Sequence, residues 1–543
     1  MGSVPTLVKQ IEGEKTILVG PLLGIENEDD KFLYTVCFLL KGRVDKTIKV
    51  NYAISEYLSG DLFESSAENY EEVKAHRIKA TDIPDYDFPK QLRIINGYSF
   101  FRAEIKLDKK AFAQKLEYKI EDSSGAYQSV HNVEEWFVYI PPKDDHGRIA
   151  YASCNGWTSS FTPLKTYDLW ERLLEHQSGD DPYSLILLGG DQIYSDSFTN
   201  RIISNHEKYD ENLVHEEYLD EYYRAFTYNY SVAQYLAQVP SIMMWDDHDI
   251  CDGWGSYADQ RGNQTLPGMQ KLFKVAIKFF NMFQLRGGIG FNRNLLDSFD
   301  KFEITNEGSL KNHFSLKLNW TEQIKVLSMD LRSNRTPMTI MNDRSISDCH
   351  KEVGGTEYLY IMSSIPMAYV ELGEWAPETG LDDLRDHWHH ADHTNEFEAF
   401  IRRIDPSLQD TKVILLSGDV HHAGVSQLEV SLSGQIKPYL QLISSGIVHP
   451  ANPAHSLLLE LKTSVYDRGS IKVKLLKHGS WKKMKLSPNS RGNRRKSTWY
   501  KISRTFLSLS KEQDELNASW YTDSLLGFGK GPQTRMCSLK KYI

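Results

Sequence analysis

Three short apolar runs, far apart in the chain, each end in aspartate: Leu187-Leu188-Gly189-Gly190-Asp191-Gln192-Ile193-Tyr194, Met244-Trp245-Asp246-Asp247-His248-Asp249 and Leu415-Leu416-Ser417-Gly418-Asp419-Val420-His421-His422. The runs over 183–188, 241–245 and 413–416 are too short for helices and read as buried strands of a mostly parallel sheet. Ligands of open α/β sheets bind beyond the carboxyl ends of the strands. Convergence of three such ends would gather several carboxylates and imidazoles at one edge. Like charges a few Å apart cannot all stay ionised unaided, so the expectation is a site for more than one metal ion.

The 543 residues suffice for three or four domains, and 40% hydrophobic with 25% charged residues is ordinary for a globular chain. A net charge of −10 gives no reason to expect specific nucleic-acid binding. No apolar stretch approaches the ~20 residues that span a bilayer. Residues 1–20 carry Lys9, Glu12, Glu14 and Lys15 and lack an apolar h-region. Five scattered cysteines, Cys37, Cys154, Cys251, Cys349 and Cys537, form no disulfide framework. The expected location is cytoplasmic, peripheral on membranes if the basic run below is a contact. The start, Met1-Gly2-Ser3-Val4-Pro5-Thr6, fits the loose myristoylation form, but chance explains so loose a pattern better.

Residues 1–145 read as a β-sandwich-like domain, with β-rich runs such as 32–40, 47–54 and 98–105. From residue 146 to 471, strand-like and helix-like runs alternate, as in α/β layering. Helical spacing is expected over 163–176, 216–236, 269–285 and 395–404. Residues 472–497 form a basic insertion with ten Lys/Arg up to Lys496 and no acidic residue. It reads first as a solvated insertion, and otherwise as a contact for an anionic surface, phospholipid headgroups or RNA. Residues 498–543 are expected to pack back on the catalytic domain.

Glycines at 189 and 190 let Asp191 approach an ion closely. Tyr194 can return to the same site, and a phenolate is a hard ligand suited to Fe³⁺. Strand alternation would send Asp247 and Asp249 to one side, Asp246 and His248 to the other, and would pair Asp419 with His421. Asp252-Gly253-Trp254-Gly255-Ser256-Tyr257 reads as a Gly-rich, substrate-facing loop with aromatic walls. His422 is a spare imidazole, and His449 follows another strand to the same edge. The run Asp386-His387-Trp388-His389-His390-Ala391-Asp392-His393 suggests zinc, but surface or pocket-lining histidines explain it better.

The ordered set resembles the PhoD-like alkaline phosphatase D family of metallophosphoesterases, a resemblance that spans about 150–450. It is carried by Ala152-Ser153-Cys154, Gly190-Asp191-Gln192-Ile193-Tyr194, Trp245-Asp246-Asp247-His248-Asp249, Asp330-Leu331-Arg332, Ser417-Gly418-Asp419-Val420-His421 and Ser444-Ser445-Gly446. The resemblance implies a metallophosphoesterase-type α/β/β/α sandwich after the β domain, making the whole α+β. It implies phosphatase or phosphodiesterase activity on phosphate esters, with a metal-bound hydroxide attacking phosphorus in line. Cys154, Asp191, Tyr194, Asp247, Asp419 and His421 become the metal ligands, for Fe³⁺ and Ca²⁺, with Zn, Mn or Mg as other occupants. His248 becomes the phosphate clamp or proton donor, and Arg332 the stabiliser of the transferred phosphoryl group. Arg335, Asp252, His422 and His449 become substrate contacts. The competing reading is a non-catalytic membrane-surface or scaffold protein that keeps the fold.

Overall fold

A computed structural model of the chain describes residues 7–42, 44, 46–58, 69–77, 97–156, 167–196, 198–199, 211–256, 264–287, 292–297, 302–351, 353–369, 386–390, 392–404, 411–432, 435–450, 467–468, 471–475, 500–501, 503–512, 515–522 and 533–539. Most of the basic insertion, the myristoylation pattern and Tyr257 lie outside the described residues.

The apolar runs form strands as expected: Arg148–Ala152, Tyr183–Gly189, Ser241–Met244 and Lys412–Ser417. The first three are parallel neighbours in an eleven-stranded sheet. On one side that sheet continues into Thr505–Glu512, Glu515–Thr522 and Gln533–Ser538. On the other it continues into the N-terminal strands Thr16–Glu28, Lys31–Lys41 and Tyr98–Asp108, through the parallel pairing of Gly24 with Ser241. The N-terminal strands therefore share one ladder with the central ones, beside a separate five-stranded sheet built on Gln114–Asp122 and Lys49–Glu56.

A nine-stranded sheet supplies the second layer, with Ile324–Ser328, Tyr358–Ser363, Lys412–Ser417 and Gln435–Ser444 parallel to one another. Alternation sorts its side chains. Tyr358, Tyr360 and Met362 join the core shared with the first sheet. Leu359 and Ile361 join a second cluster with Trp388, Phe397 and Phe400 beside the helix Thr394–Ile404. Helices Asp168–Gln177 and Tyr230–Gln238 belong to the first core, where Trp170 and Tyr235 meet edge to face at 5.7 Å. This is the expected layering of two sheets with helices against them. No helix among the described residues is long and apolar enough to cross a membrane.

The helix expected over 216–236 is two helices, Glu211–Tyr223 and Tyr230–Gln238, separated by a π turn at Arg224–Tyr228. Asn229 interrupts them: it is extended, and its side-chain oxygen accepts from the N–H groups of Ser231 and Val232. That is the N-cap role for which Asn is favoured.

Candidate metal centre

Both large sheets present carboxyl ends at one edge. Cys154, Asp191 and Asp246 follow parallel neighbours of the first sheet, and Asp419 and His421 follow Lys412–Ser417 of the second. The backbone there is contorted. Six described non-glycine residues have a left-handed φ, and four of them are Cys154 (57°), Asp191 (54°), Asp419 (64°) and His421 (51°). Such conformations cost about 1–3 kcal/mol each and cluster at functional sites. Gly190 is needed for space as well as for its φ of 99°, since a Cβ there would lie 2.9 Å from the Asp246 Cβ.

Asp191 is the common member of three groups: with Cys154 and His421, with Asp247 and His248, and with Asp246 and Asp419. Within each group the donor atoms all lie within 4.8 Å of one another. The Cys154 thiol and the Tyr194 hydroxyl each donate to Asp191 Oδ2 at 3.4 Å, and Tyr194 Oη also lies 3.4 Å from His421 Nε2. Asp191 Oδ1 is buried and accepts no hydrogen bond. Burial first, then the neighbouring Cys154, Asp247 and Asp246, push the Asp191 pKa well above the carboxylate range. Burial likewise raises Asp246 to about 6 and the Cys154 thiol above its ordinary value. A thiol, a phenol, two imidazoles and several carboxylates that cannot hold their charges unaided fit cations well.

The turn after Ser241–Met244 differs from simple alternation. Asp247–Asp249 is one turn of 3₁₀ helix, closed by a reciprocal box between Asp246 and Asp249. Asp247 thus faces the cluster while Asp249 points into the core. There Asp249 accepts from the N–H groups of Asp246, Gln192 and Ile193 and from Gln284 Nε2. The same turn brings Asp246 into the cluster, which alternation had placed on the other side from Asp247. His248 Nδ1 lies 2.6 Å from Asp196 Oδ2, and its ring stacks on Tyr194 at 4.3 Å. Burial opposes its charge, but Asp196, Asp247 and Asp191 override this and raise its pKa well above 6.5. Asp196, absent from the sequence reading, is signalled only by its place five residues after Asp191 on the same loop.

Residues 196–354 match the family model described as PhoD related phosphatase. The uncharacterized protein YGR266W of Saccharomyces cerevisiae is 24% identical over 496 residues, covering 77% of this chain and 67% of its own. A solved structure of PhoD superposes with a TM-score of 0.59 at 12% identity, covering 97% of this chain and 91% of its own. Purple acid phosphatase PPD1 from yellow lupin (Lupinus luteus) seeds does so with a TM-score of 0.50 at 11% identity, over 95% and 74%. The fold of this chain is PhoD-like.

Among the described residues the cleft is lined by Asp247, His248, Asp252, Gly253, Asp386, Asp419 and His421, with no Lys or Arg. The expected forked contacts of Arg332 and Arg335 with a phosphate are not what these side chains make. Both are buried: Arg332 donates to Asp246, Asp386 and the Trp254 carbonyl, and Arg335 Nη2 donates to Asp386, while Arg335 Nε and Nη1 have no hydrogen-bond partner among the described residues. His422 turns from the cleft: its Nδ1 faces the Ala423 carbonyl and its Nε2 the Tyr369 hydroxyl at 2.8 Å. His449 stacks on His421 at 4.1 Å and on Tyr194 at 5.0 Å, as a wall behind them. Burial lowers both His422 and His449 to about 4 and keeps them neutral. The aromatic wall expected of Trp254 is also absent, because its ring is buried against Phe273 at 4.6 Å. Among the described residues no histidine of 387–393 belongs to a three-ligand group; His389 Nε2 accepts from the Tyr369 N–H.

Proposed function

We propose that the chain is a metal-dependent phosphoric-ester hydrolase, acting as a phosphatase or phosphodiesterase. The observation that carries this is Asp191: a buried carboxylate with one oxygen unsatisfied, shared by three ligand groups at the meeting of both sheets. Cys154, Asp191, Tyr194 and His421 would hold one cation, with iron as the occupant that the phenol and thiol suit best. Asp191, Asp246, Asp247 and Asp419 would hold the second, with Ca²⁺ as the resemblance implies. When bound, the cations draw in the phosphate oxygens and lower the pKa of a coordinated water, toward ~7 in favourable cases.

The protein's own groups do the rest. With no Lys or Arg among the described lining residues, His248 is the one positive side chain the cleft offers the anionic ester there, and the ester's entry leans on loaded cations. His248 is protonated and fixed through Nδ1 by Asp196, which leaves Nε2 for the substrate. It donates that proton to the departing ester oxygen as the bond to phosphorus breaks. The Asp196 carboxylate also accepts from the Asp252 N–H at 2.9 Å. One acceptor thus holds the acid and the lip of the cleft together.

The test is hydrolysis of 4-nitrophenyl phosphate and of its bis-ester, with metal analysis of the same sample. Bound metal and turnover lost in Asp191→Ala are expected; near-normal turnover of that variant refutes the assignment. A visible charge-transfer band that vanishes in Tyr194→Phe is expected for iron, and its absence from an iron-loaded sample removes Tyr194 as a ligand. We also propose that the basic run 472–496 docks the enzyme on anionic membranes. Liposome binding with steep salt dependence, lost on deleting 478–496, is expected; binding indifferent to the deletion sinks this.

A further inference from the structure

Beneath the two site carboxylates lies a buried chain of ions that the hydrolytic reading leaves unused. Arg332 Nε donates to Asp246, and Arg332 Nη2 lies 3.4 Å from Asp247 Oδ1. Both Nη atoms of Arg332 continue to Asp386, Nη1 at 3.0 Å from Oδ1 and Nη2 on Oδ2. Arg335 Nη2 donates to Asp386 Oδ1 and to the Asp386 carbonyl, each at 2.7 Å, and Ser256 Oγ donates to Oδ1 as well. Asp386 lines the cleft, yet both its oxygens are engaged by these three side chains. The ion chain ends there: the neighbouring His387, which burial keeps neutral, places Nε2 3.9 Å from Asp419 Oδ2, beyond hydrogen-bond distance.

We propose that Asp386 is a positioning residue: a brace that fixes Arg332 beneath the Asp246–Asp247 limb, and so sets how tightly the site holds its cations. The proposal rests on the metal-centre reading above. The physics is competition. Arg332 and an incoming cation both seek the Asp246 and Asp247 carboxylates. A guanidinium held by a second carboxylate is neutralised and fixed, so it orients those oxygens without outbidding the cation. Remove the Asp386 charge and Arg332 turns wholly on Asp246 and Asp247, while Arg335 loses its counter-ion. Outer partners of this kind are worth about 10–100-fold in metal affinity or activity.

The experiment uses the full chain and Mn²⁺ as the probe, titrated by the electron paramagnetic resonance signal of free Mn²⁺, beside kcat and KM on bis(4-nitrophenyl) phosphate. Asp386→Asn is expected to weaken Mn²⁺ binding about tenfold or more and to lower kcat. The double variant Asp386→Asn/Arg335→Gln restores the charge balance and is expected to recover part of that loss. Ser256→Ala, which removes a single hydroxyl, guards against a misfolded Asp386 variant and is expected to weaken Mn²⁺ a few-fold. Wild-type Mn²⁺ affinity in Asp386→Asn, or in Ser256→Ala where Asp386→Asn does not fold, overturns the brace. A raised KM with unchanged Mn²⁺ affinity also overturns it, since that is the mark of a substrate contact. These outcomes are read against a wild type that binds Mn²⁺ and hydrolyses the ester. A wild type that does neither brings down the metal-centre reading, and the brace with it.

Discussion

Asp191 and Asp249 follow neighbouring strands of one sheet and are almost equally hidden, at 1% and 2% exposure. Their surroundings are opposite. Three backbone N–H groups and the Gln284 amide converge on Asp249. Asp191 receives only a thiol and a phenol, both on one oxygen, and the other oxygen accepts nothing. Burial alone therefore does not separate a structural carboxylate from a ligand. The supply of N–H donors does: where the backbone provides them the carboxylate is satisfied within the fold, although burial still raises Asp249 to about 7, and where it withholds them the carboxylate is left for a cation.

The sharpest way to break this contrast is Asp191→Asn. Metal-dependent ester hydrolysis is expected to fall by more than ~100-fold, beyond the range of an outer partner, while the metal-free protein melts at or above the wild-type temperature. A large loss of melting temperature would place Asp191 with Asp249 instead. Asp249→Ala leaves four donors without a partner and is expected to cost about 3 kcal/mol or more, read by denaturant unfolding. An unchanged midpoint would erase the distinction. Asp196→Asn should lower kcat about 10–100-fold and flatten the alkaline limb of the pH profile, with bound metal retained. Metal loss in that variant would make Asp196 part of the centre itself.

The smallest effect concerns a third kind of buried carboxylate. Burial raises Glu221 to about 7 against the pull of Arg224, with Glu217 and Asp220 adding to the rise. The folded form holds its proton more tightly than the unfolded chain, whose Glu titrates near ~4.3. The stability this gives is full below that value and is lost as pH rises through about 7. Glu221→Gln is therefore expected to melt above wild type at pH 8, with the gap closing toward pH 5. The reverse order in thermal melts would contradict it.

The strand ends, the layer order and most of the cluster are legible in the sequence because short apolar runs before Asp and His leave few alternatives. What is not legible depends on turns and on distant partners. Alternation misplaces Asp246 and Asp249, because the choice between an extended chain and a 3₁₀ turn rests on the reciprocal Asp246–Asp249 box. Arg332 and Arg335 read as phosphate contacts because Asp386, which claims them, stands more than fifty residues later. Asp196 is hidden for the same reason: its value comes from His248, fifty-two positions on. His422 looks like a spare ligand until Tyr369 is seen to hold it.

The ladder that runs from the C-terminal hairpin through the central strands into Thr16–Glu28 has a practical consequence for anyone dissecting this protein. A cut near residue 145 would not free a module. It would bare the backbone edge of Ser241–Met244, the strand that carries the Asp246–Asp249 turn, and strip the Gly24 face that covers Arg286. Fragments made there are expected to stick to one another edge to edge, and their failure to turn over substrate would say nothing about the chemistry of the centre.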